Sequence, residues 1–321
     1  MPIIESTTYP GPPRSQWNGH LQTIFPSVFR RFDPIPWRRE RIETPDDDFL
    51  DLDWCQHGGN KKLAILTHGL EGHSRTPYIL GMTQTLRQRN WDILAWNCRS
   101  CSGEMNRQFR LYHHGEIEDI ATVIRYALEL GYQEISLLGF SMGGNITLKY
   151  LGVHGDAVPK EIKRAVAMSS PCDLKAGVEI LQARENWLYR WRFYYLLRRK
   201  VVLKAQQYPD KIDAGKLRKV RTWEDFDQWF SAPIAGCASA EAFYQQASAR
   251  NFISGIKRPT LILNAANDPI LTERCSPRDI CVEHEHVFLE VTPQGGHLGF
   301  SLPGSKESWG ENRAANWVEQ A

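Results

Sequence analysis

The sequence predicts an α/β fold built on a mostly parallel sheet with helices on both faces. Short β-branched or apolar runs recur along the chain, and most of them lack the polar alternation of a half-exposed strand. Helical patterns separate these runs, which is typical of a parallel sheet. The chain has 321 residues, of which 42% are hydrophobic, so it has ample material for one such domain over residues 1–321.

Eight strands and four flanking helices are predicted in order along the chain. The strands are two around the polar turn Asp46–Asp48, within residues 37–56, and runs at 63–67, 92–96, 135–139, 165–169, 260–264 and 287–291. The helical patterns lie at 78–89, 116–130, 142–152 and 308–320.

The N-terminal arm, about residues 1–37, does not follow this alternation. Residues 9–37 are rich in proline and aromatic side chains. Proline disfavours regular secondary structure, so the arm is predicted to be extended. Its apolar side chains predict that it packs on the body of the domain.

The lid, a segment of about residues 172–256 between two predicted strands, is the second departure. It has helical patterns, among them one long amphipathic stretch from Ala176 to Gln207 and a capping-box pattern at Thr222 and Asp225. A helical insertion here is placed to cover the carboxyl ends of the strands, where sites in open α/β sheets lie.

Composition and charge argue against several classes of protein. Lys and Arg number 39 and Asp and Glu 37, so the net charge of +2 argues against nucleic-acid binding as the main task. The 7 cysteines are scattered, which favours free thiols over a disulfide framework. The N-terminal residues show no secretory pattern and no apolar run is long enough to span a membrane, so the expected location is the cytoplasm.

The strongest chemical signal is a G-x-S-x-G motif at residues 139–143, between a predicted strand and a predicted helix. In this pattern Ser141 lies on a strained turn, so its hydroxyl stands clear of the sheet. Glycine is needed two residues before and two residues after Ser141, because side chains at those positions would collide with the turn. The amides at the start of the following helix favour an oxyanion. Ser141 is therefore the candidate nucleophile.

The partners of Ser141 are expected to be a base and an acid that orients the base. His297 follows the last predicted strand, 287–291, and Asp268 follows the strand before it, 260–264. Both are therefore expected at the same sheet edge as Ser141. Their order along the chain, Ser then Asp then His, is the hydrolase order. Asp173, also just past a strand, is the competing acid.

Two backbone amides are candidates for an oxyanion hole. The first is Met142, directly after the nucleophile. The second is Leu70, in the His-Gly-Leu-Glu-Gly loop after an earlier strand, where glycines let the backbone approach a substrate closely. This loop, residues 68–72, is termed the oxyanion loop below.

Taken together, these motifs resemble the α/β-hydrolase superfamily and, more narrowly, its YheT-like branch of acyl-ester hydrolases. The similar segments span about residues 10–317 and are GHLQTI (19–24), GLEGH (69–73), NCRSCSGEMNR (97–107), YHHGEIEDI (112–120), GFSMGGN (139–145), TWEDFDQWFSAP (222–233), NAANDPIL (264–271) and GGHLGF (295–300). One departure is Ser100, where the family pattern usually has glycine.

The resemblance implies an eight-stranded α/β-hydrolase fold with a helical lid and a catalytic triad of Ser141, Asp268 and His297. It also implies carboxylic-ester substrates, such as medium-chain acyl esters and glycerolipids, which would place the chain in lipid metabolism. No metal and no organic cofactor is expected.

The expected function is that of a serine esterase or lipase that cleaves short- to medium-chain or lipid-like esters through an acyl-enzyme on Ser141. If an alcohol resolves that acyl-enzyme, the chain is an acyltransferase. Amide hydrolysis and a non-catalytic binding protein on the same fold are further alternatives. The natural substrate, the acyl length, the lid's mobility, the pathway and the oligomeric state stay open.

Two further features have simpler interpretations. Cys98-x-x-Cys101 has no convincing second pair of ligands for zinc, so two loop thiols are predicted. The basic, aromatic stretch 184–204 of the lid has a stripe at helical spacing that is expected to pack on the body, formed by Trp187, Trp191, Tyr194 or Tyr195, and Val202. The alternative is transient docking of this stretch on an anionic membrane surface.

Overall fold

A nine-stranded sheet forms the centre of the computed structural model, which describes residues 2–320. Residues 1 and 321, the two ends of the predicted domain, lie outside the described residues. The strands are β1 Ile3–Ile4, β2 Arg38–Glu43, β3 Phe49–Cys55, β4 Lys62–Thr67, β5 Asp92–Asn97, β6 Glu134–Phe140, β7 Ile162–Met168, β8 Thr260–Ala265 and β9 Val287–Thr292.

The sheet is mostly parallel, and its strand order is β1-β9-β8-β7-β6-β4-β5-β3-β2. Among the described strands, only the pairs β2–β3 and β3–β5 are antiparallel. Because β4, β6, β8 and β9 run in the same direction, their carboxyl ends lie along one edge of the sheet. The residues predicted to act in catalysis follow these four strands.

The predicted α/β fold is confirmed, with one more strand than the eight expected. The additional strand consists of Ile3 and Ile4, which pair with Leu289 and Glu290 of β9. A strand of two residues has no readable periodicity, so the sequence pattern could not reveal it.

Eleven α-helices within residues 2–320 flank the sheet or form the lid. They are α1 Gly19–Phe29, α2 Pro77–Arg87, α3 Glu118–Glu129, α4 Met142–His154, α5 Leu174–Gln182, α6 Trp187–Gln207, α7 Trp223–Phe226, α8 Ala232–Ile234, α9 Ala240–Ala247, α10 Arg278–Cys281 and α11 Trp309–Val318. A π-helix, Asp227–Ser231, joins α7 to α8. The four predicted flanking helices correspond to α2, α3, α4 and α11. Thr222 and Asp225 form the predicted capping box at the start of α7.

The prediction of an extended arm is wrong for its central part, where α1 lies. The Asn18 side chain caps this helix by accepting a hydrogen bond from the Leu21 amide at 2.9 Å. Pro26 lies inside the helix and has no backbone N–H to donate to the helical hydrogen-bond pattern. Its side chain is buried. Gln22 is buried as well, so the arm packs on the body.

The expected long helical stretch Ala176–Gln207 is interrupted, which separates α5 from α6. At the interruption Ala183 has a ψ of 147°, an extended value that ends α5. The buried Asn186 side chain fixes this break, because its amide donates to the carbonyls of Ile180 and Pro269.

The prediction that the aromatic stripe of α6 packs on the body is wrong for Trp187 and Trp191, which face solvent, whereas Tyr194 and Val202 pack against a buried apolar cluster. Trp187 and Trp191 are each 59% exposed, and Tyr195 is 48% exposed. The fully buried positions of this helix are Val201 and Lys204. Aromatic side chains at helical spacing identify one face of a helix, but the spacing does not reveal whether that face meets the core or water.

Apolar side chains fill both faces of the sheet. Along β4, Leu63 and Ile65 belong to the core cluster on one face, and Ala64 and Leu66 belong to the cluster on the other. All four are fully buried. Burial on both faces explains why the predicted strands lack polar alternation.

A buried charge cluster fixes the loop after β5. The Arg99 guanidinium donates at 2.8–2.9 Å to three carboxylates, those of Asp46, Asp48 and Asp119. The neighbouring Cys98 amide donates to His68 Nε2 at 3.0 Å. The cluster therefore supports the start of the oxyanion loop.

Ser100, the departure from the family pattern, lies in the same loop. Its φ of +62° is in the left-handed region that favours glycine, which agrees with the residue usual at this position. The Ser100 hydroxyl donates to Asn106 Oδ1 at 2.7 Å and accepts from the Asn106 amide at 3.0 Å. These hydrogen bonds offset part of the backbone strain.

Arg99→Met is expected to lower the free energy of unfolding by about 3–5 kcal/mol, because it leaves buried carboxylates without their partner. Urea unfolding followed by circular dichroism measures the change. Arg38→Met is the control, since Arg38 is 56% exposed in its pair with Glu40. That variant is expected to lose less than about 1 kcal/mol. Equal losses in the two variants would contradict the role of the buried cluster.

Candidate active site

Ser141 lies on a strained turn between β6 and α4. Its φ of 54° and ψ of −121° are values that residues other than glycine rarely adopt. A Cβ at Gly139 would lie 2.2 Å from the Gly143 carbonyl oxygen, and a Cβ at Gly143 would lie 2.1 Å from the Thr67 carbonyl oxygen. Both positions therefore require glycine. The turn places Ser141 in the wall of a cavity under the lid.

His297 and Asp268 are in direct contact. His297 Nδ1 lies 2.8 Å from Asp268 Oδ2, and Asp268 is only 5% exposed. The other carboxylate oxygen, Asp268 Oδ1, accepts a hydrogen bond from the Ile270 amide at 3.0 Å. His297 lines the same cavity as Ser141. The structure thus gathers the three residues at one sheet edge.

Asp173, the competing acid, has other partners. One of its oxygens accepts a hydrogen bond from the Ala176 amide at 3.0 Å and thereby caps α5. The other pairs with the Arg274 guanidinium at 2.9 Å. Both oxygens are engaged at the start of the lid, so the geometry favours Asp268 as the partner of His297.

Helix α1 of the arm holds the loops that follow β8 and β9. Gln22 Oε1 accepts hydrogen bonds from the Gly295 amide at 2.9 Å and from the Asn267 side chain at 2.8 Å. Thr23 Oγ1 accepts a hydrogen bond from the His297 amide at 2.9 Å. These roles of Gln22 and Thr23 were not predicted from the sequence. The available signal was the segment GHLQTI, which the family resemblance includes.

The two predicted oxyanion donors lie on either side of Ser141. Leu70 lines the cavity with Ser141, and Met142 follows Ser141 directly. Within residues 2–320, the amides of Leu70 and Met142 make no hydrogen bond. A Cβ at Gly69 would lie 3.0 Å from Ser141 Cβ, so the oxyanion loop passes close to the serine. The arrangement can offer two amides to an anion.

Buried side chains fix the oxyanion loop. His68 Nε2 accepts the Cys98 amide, so its Nδ1 carries the proton and donates to the Gly69 carbonyl at 2.7 Å. Burial lowers the pKa of His68 to about 3, which keeps the ring neutral. The Tyr78 hydroxyl accepts a hydrogen bond from the Gly69 amide at 3.0 Å. The loop is therefore held from both sides.

The wall of the cavity is mostly apolar, and most of it comes from the lid. Its apolar lid side chains are Leu174, Val178, Leu181, Phe193, Leu197, Val201, Trp223, Phe226, Phe230, Ile234 and Phe243. The lid therefore encloses an apolar space beside Ser141, as in most small-molecule sites.

Asp227 places a carboxyl group in this wall. It is 4% exposed, and the Tyr244 hydroxyl donates to its Oδ2 at 2.9 Å. Burial raises the pKa of Asp227 to about 7, although hydrogen bonds from Ser231 and Tyr244 oppose the rise. Asp227 was not predicted from the sequence, where its signal is an acidic side chain between the aromatic residues of FDQWF.

Neither a metal-binding cluster nor a membrane-spanning helix is found among residues 2–320. Among the described residues, no group of three or more His, Cys, Asp or Glu side chains is arranged to hold a metal ion. All seven cysteines, Cys98 and Cys101 among them, carry free thiols. No helix in residues 2–320 is long and apolar enough to cross a membrane.

Comparison with known proteins identifies the family. The sheet and the turn at Ser141 define an α/β-hydrolase architecture, and a family model described as the alpha/beta hydrolase fold matches residues 64–302. Over 319 residues the chain is 34% identical to the YheT protein of Escherichia coli strain K12, with 96% of this chain and 92% of that protein covered. The chain belongs to the α/β-hydrolase family, in the branch that includes YheT.

Further relatives carry names of ester-cleaving enzymes. The human phospholipase ABHD3 is 27% identical over 310 residues, which cover 93% of this chain and 75% of that protein. The monoacylglycerol lipase of Saccharomyces cerevisiae is 28% identical over 284 residues, which cover 85% of this chain and 61% of that protein. Among solved structures, the esterase Pf2001 of Pyrococcus furiosus matches with a TM-score of 0.60 and 18% identity over 98% of both chains. This last likeness supports the fold.

Asp268→Asn is expected to lower kcat for ester hydrolysis by at least about a thousandfold, because the amide no longer orients and stabilises the histidine ring. Asp173→Asn is the matched control: it keeps a good helix cap and is expected to change kcat less than about threefold. Steady-state kinetics on a p-nitrophenyl ester measure both. If Asp173→Asn is the damaging change, the acid has been assigned to the wrong residue.

Proposed function

We propose that this chain is a serine hydrolase that cleaves carboxylic esters through an acyl-enzyme on Ser141. Its membership of an ester-hydrolysing branch of the family supports the reaction class. The observation that carries the serine mechanism is the 2.8 Å contact between His297 and Asp268, in a cavity that His297 shares with Ser141.

In the first half of the reaction, Ser141 Oγ attacks the ester carbonyl while His297 Nε2 takes the serine proton. Asp268 accepts a hydrogen bond from His297 Nδ1 and stabilises the imidazolium. His297 then gives its proton to the departing alkoxide, so the alcohol leaves and the acyl group stays on Ser141. In the second half, His297 activates a water molecule that releases the acid.

The amides of Leu70 and Met142 are proposed to bind the oxygen of the tetrahedral intermediate. A donor of this kind typically contributes about 3–4 kcal/mol to lowering the barrier. The partial positive charge at the start of α4 acts in the same direction. The tight glycine packing around Ser141 supports this role, because it brings the oxyanion loop next to the serine.

The apolar lid wall supports short- to medium-chain or lipid-like acyl esters as substrates. Each buried methylene favours binding by up to about 0.8 kcal/mol. A longer chain therefore gains contacts with side chains such as Leu181 and Phe230 until the cavity is filled.

Hydrolysis of p-nitrophenyl esters of increasing acyl length tests this function. We expect the octanoate to be a better substrate than the acetate by kcat/KM, because the apolar wall binds the longer chain. Ser141→Ala is expected to lower kcat by about a millionfold, with the fold intact by circular dichroism. Hydrolysis that survives Ser141→Ala would contradict the mechanism, and a preference for acetate would contradict the substrate class.

A second proposal concerns where the enzyme meets lipid-like substrates: the exposed face of α6 makes transient contact with anionic membrane surfaces. The aromatic side chains Trp187, Trp191 and Tyr195 are exposed on this face together with Arg192 and Arg198. Aromatic and basic side chains on one exposed helix face favour the interface of an anionic bilayer. The lid helix would then rest on the surface that supplies the ester.

Flotation with vesicles containing phosphatidylserine tests this contact. The double variant Trp187→Ala/Trp191→Ala is expected to bind these vesicles several-fold less than the unchanged protein, because it removes apolar area from the contact. Trp17→Ala is the control, since Trp17 is 75% exposed but lies outside the lid. Binding that is equal in all three proteins, or that does not fall with added salt, would contradict the contact.

A further inference from the structure

A buried lysine of the lid contacts the oxyanion loop. Lys200 Nζ lies 2.8 Å from Glu71 Oε1, and the two side chains are only 12% and 7% exposed. On the same helix, the neighbouring Arg198 and Arg199 are exposed to solvent. Lys200, like Lys204 on the same helix, is thus withdrawn from solvent.

Glu71 directly follows Leu70, whose amide is the proposed oxyanion donor. Its φ of +54° is strained for a residue with a side chain, so contacts must hold it there. The Glu71 amide donates to the Tyr112 hydroxyl at 3.0 Å, and this hydroxyl donates back to the Glu71 carboxylate. The Lys200 ammonium adds the contact from the lid.

Lys200 keeps its positive charge in this setting. Burial lowers its pKa, but Cys101 and Glu71 raise it more, so the net direction is upward. Lys200 Nζ also lies 3.2 Å from Cys101 Sγ and 4.7 Å from the centroid of the Tyr112 ring. Removing one partner of a buried ion pair leaves the other charge without compensation. The contact therefore fixes α6 and the oxyanion loop relative to each other.

We infer that Lys200 and Glu71 are positioning residues that couple the lid to the oxyanion hole. The inference rests on the proposed function, because it takes the Leu70 amide as an oxyanion donor. The Lys200 ammonium holds Glu71 in its strained turn, and the turn aims the preceding amide at the cavity. Without the ion pair, the turn relaxes and the amide leaves its position. The oxyanion hole is complete only when the lid is packed over the site.

Lys204 offers a matched comparison on the same helix. It is fully buried about one turn further on, and its ammonium donates to the backbone carbonyls of Asn106 and Gln108. It therefore ties the lid to the body without contacting the oxyanion loop. A loss of lid anchoring affects both lysines, whereas a loss of oxyanion positioning affects Lys200 alone.

The experiment compares Lys200→Met with Lys204→Met in the full chain on the p-nitrophenyl octanoate assay, with thermal unfolding of each. Lys200→Met is expected to lower kcat by about tenfold or more and to change KM less than about threefold, because the lost interaction acts in the transition state. Lys204→Met is expected to keep kcat within about threefold of the unchanged protein, even if its unfolding temperature falls as much as that of Lys200→Met. Glu71→Gln probes the same contact with little change of side-chain shape, and it serves as the test if Lys200→Met does not fold. It is also expected to lower kcat and to leave KM unchanged.

Two results would overturn the coupling: equal losses of kcat in the two lysine variants, or a loss in Lys200→Met and Glu71→Gln that is confined to KM. Ser141→Ala is measured in the same series. Hydrolysis that survives Ser141→Ala overturns the proposed function. Serine-dependent hydrolysis with an unchanged kcat in Lys200→Met and Glu71→Gln overturns the coupling alone.

Discussion

The turn at Ser141 depends on backbone packing so close that only glycine fits two residues before and two residues after the serine. At Gly139 and Gly143, a Cβ would lie 2.2 Å and 2.1 Å from carbonyl oxygens of neighbouring backbone. This packing forces Ser141 into a φ of 54° and sets β4, β6 and the start of α4 against one another. The oxyanion loop after β4 therefore runs beside the serine. Strain stored at a functional site persists only when the surrounding structure holds it, and here the fully buried central strands do so.

Segments far apart in the sequence complete the site around this turn. The arm contributes Gln22, which accepts hydrogen bonds from the Gly295 amide and the Asn267 side chain, and Thr23, which accepts one from the His297 amide. The lid contributes the apolar wall and, through Lys200, an ion pair to the oxyanion loop. The arm and the lid also meet directly, since the His20 ring lies 3.2 Å from the Tyr189 hydroxyl. Arm, lid and strand-end loops thus form one connected shell around Ser141.

The sequence predicted the parts of the molecule that a strong local signal specifies. The parallel strands were readable because both faces are buried, and Ser141, Asp268 and His297 were readable because each follows a strand in a known order. The two-residue strand at Ile3 has too few positions for a pattern. Helix α1 was hidden by the prolines of the arm, although its Asn18 cap was a usable signal. Which face of α6 is exposed, and whether Asp227 and Lys200 point toward the interior, depend on how the lid packs. Helical spacing does not determine that packing.

The central claim is that His297 activates Ser141 as the nucleophile of this site. Labelling with a fluorophosphonate, followed by peptide mass spectrometry, tests it most directly, because the reagent reacts with an activated serine and needs no knowledge of the natural substrate. One adduct per chain is expected, on the peptide that contains Ser141, with a labelling rate at least about a hundredfold lower in His297→Ala. An adduct on another residue, or an equal rate in His297→Ala, would contradict the claim.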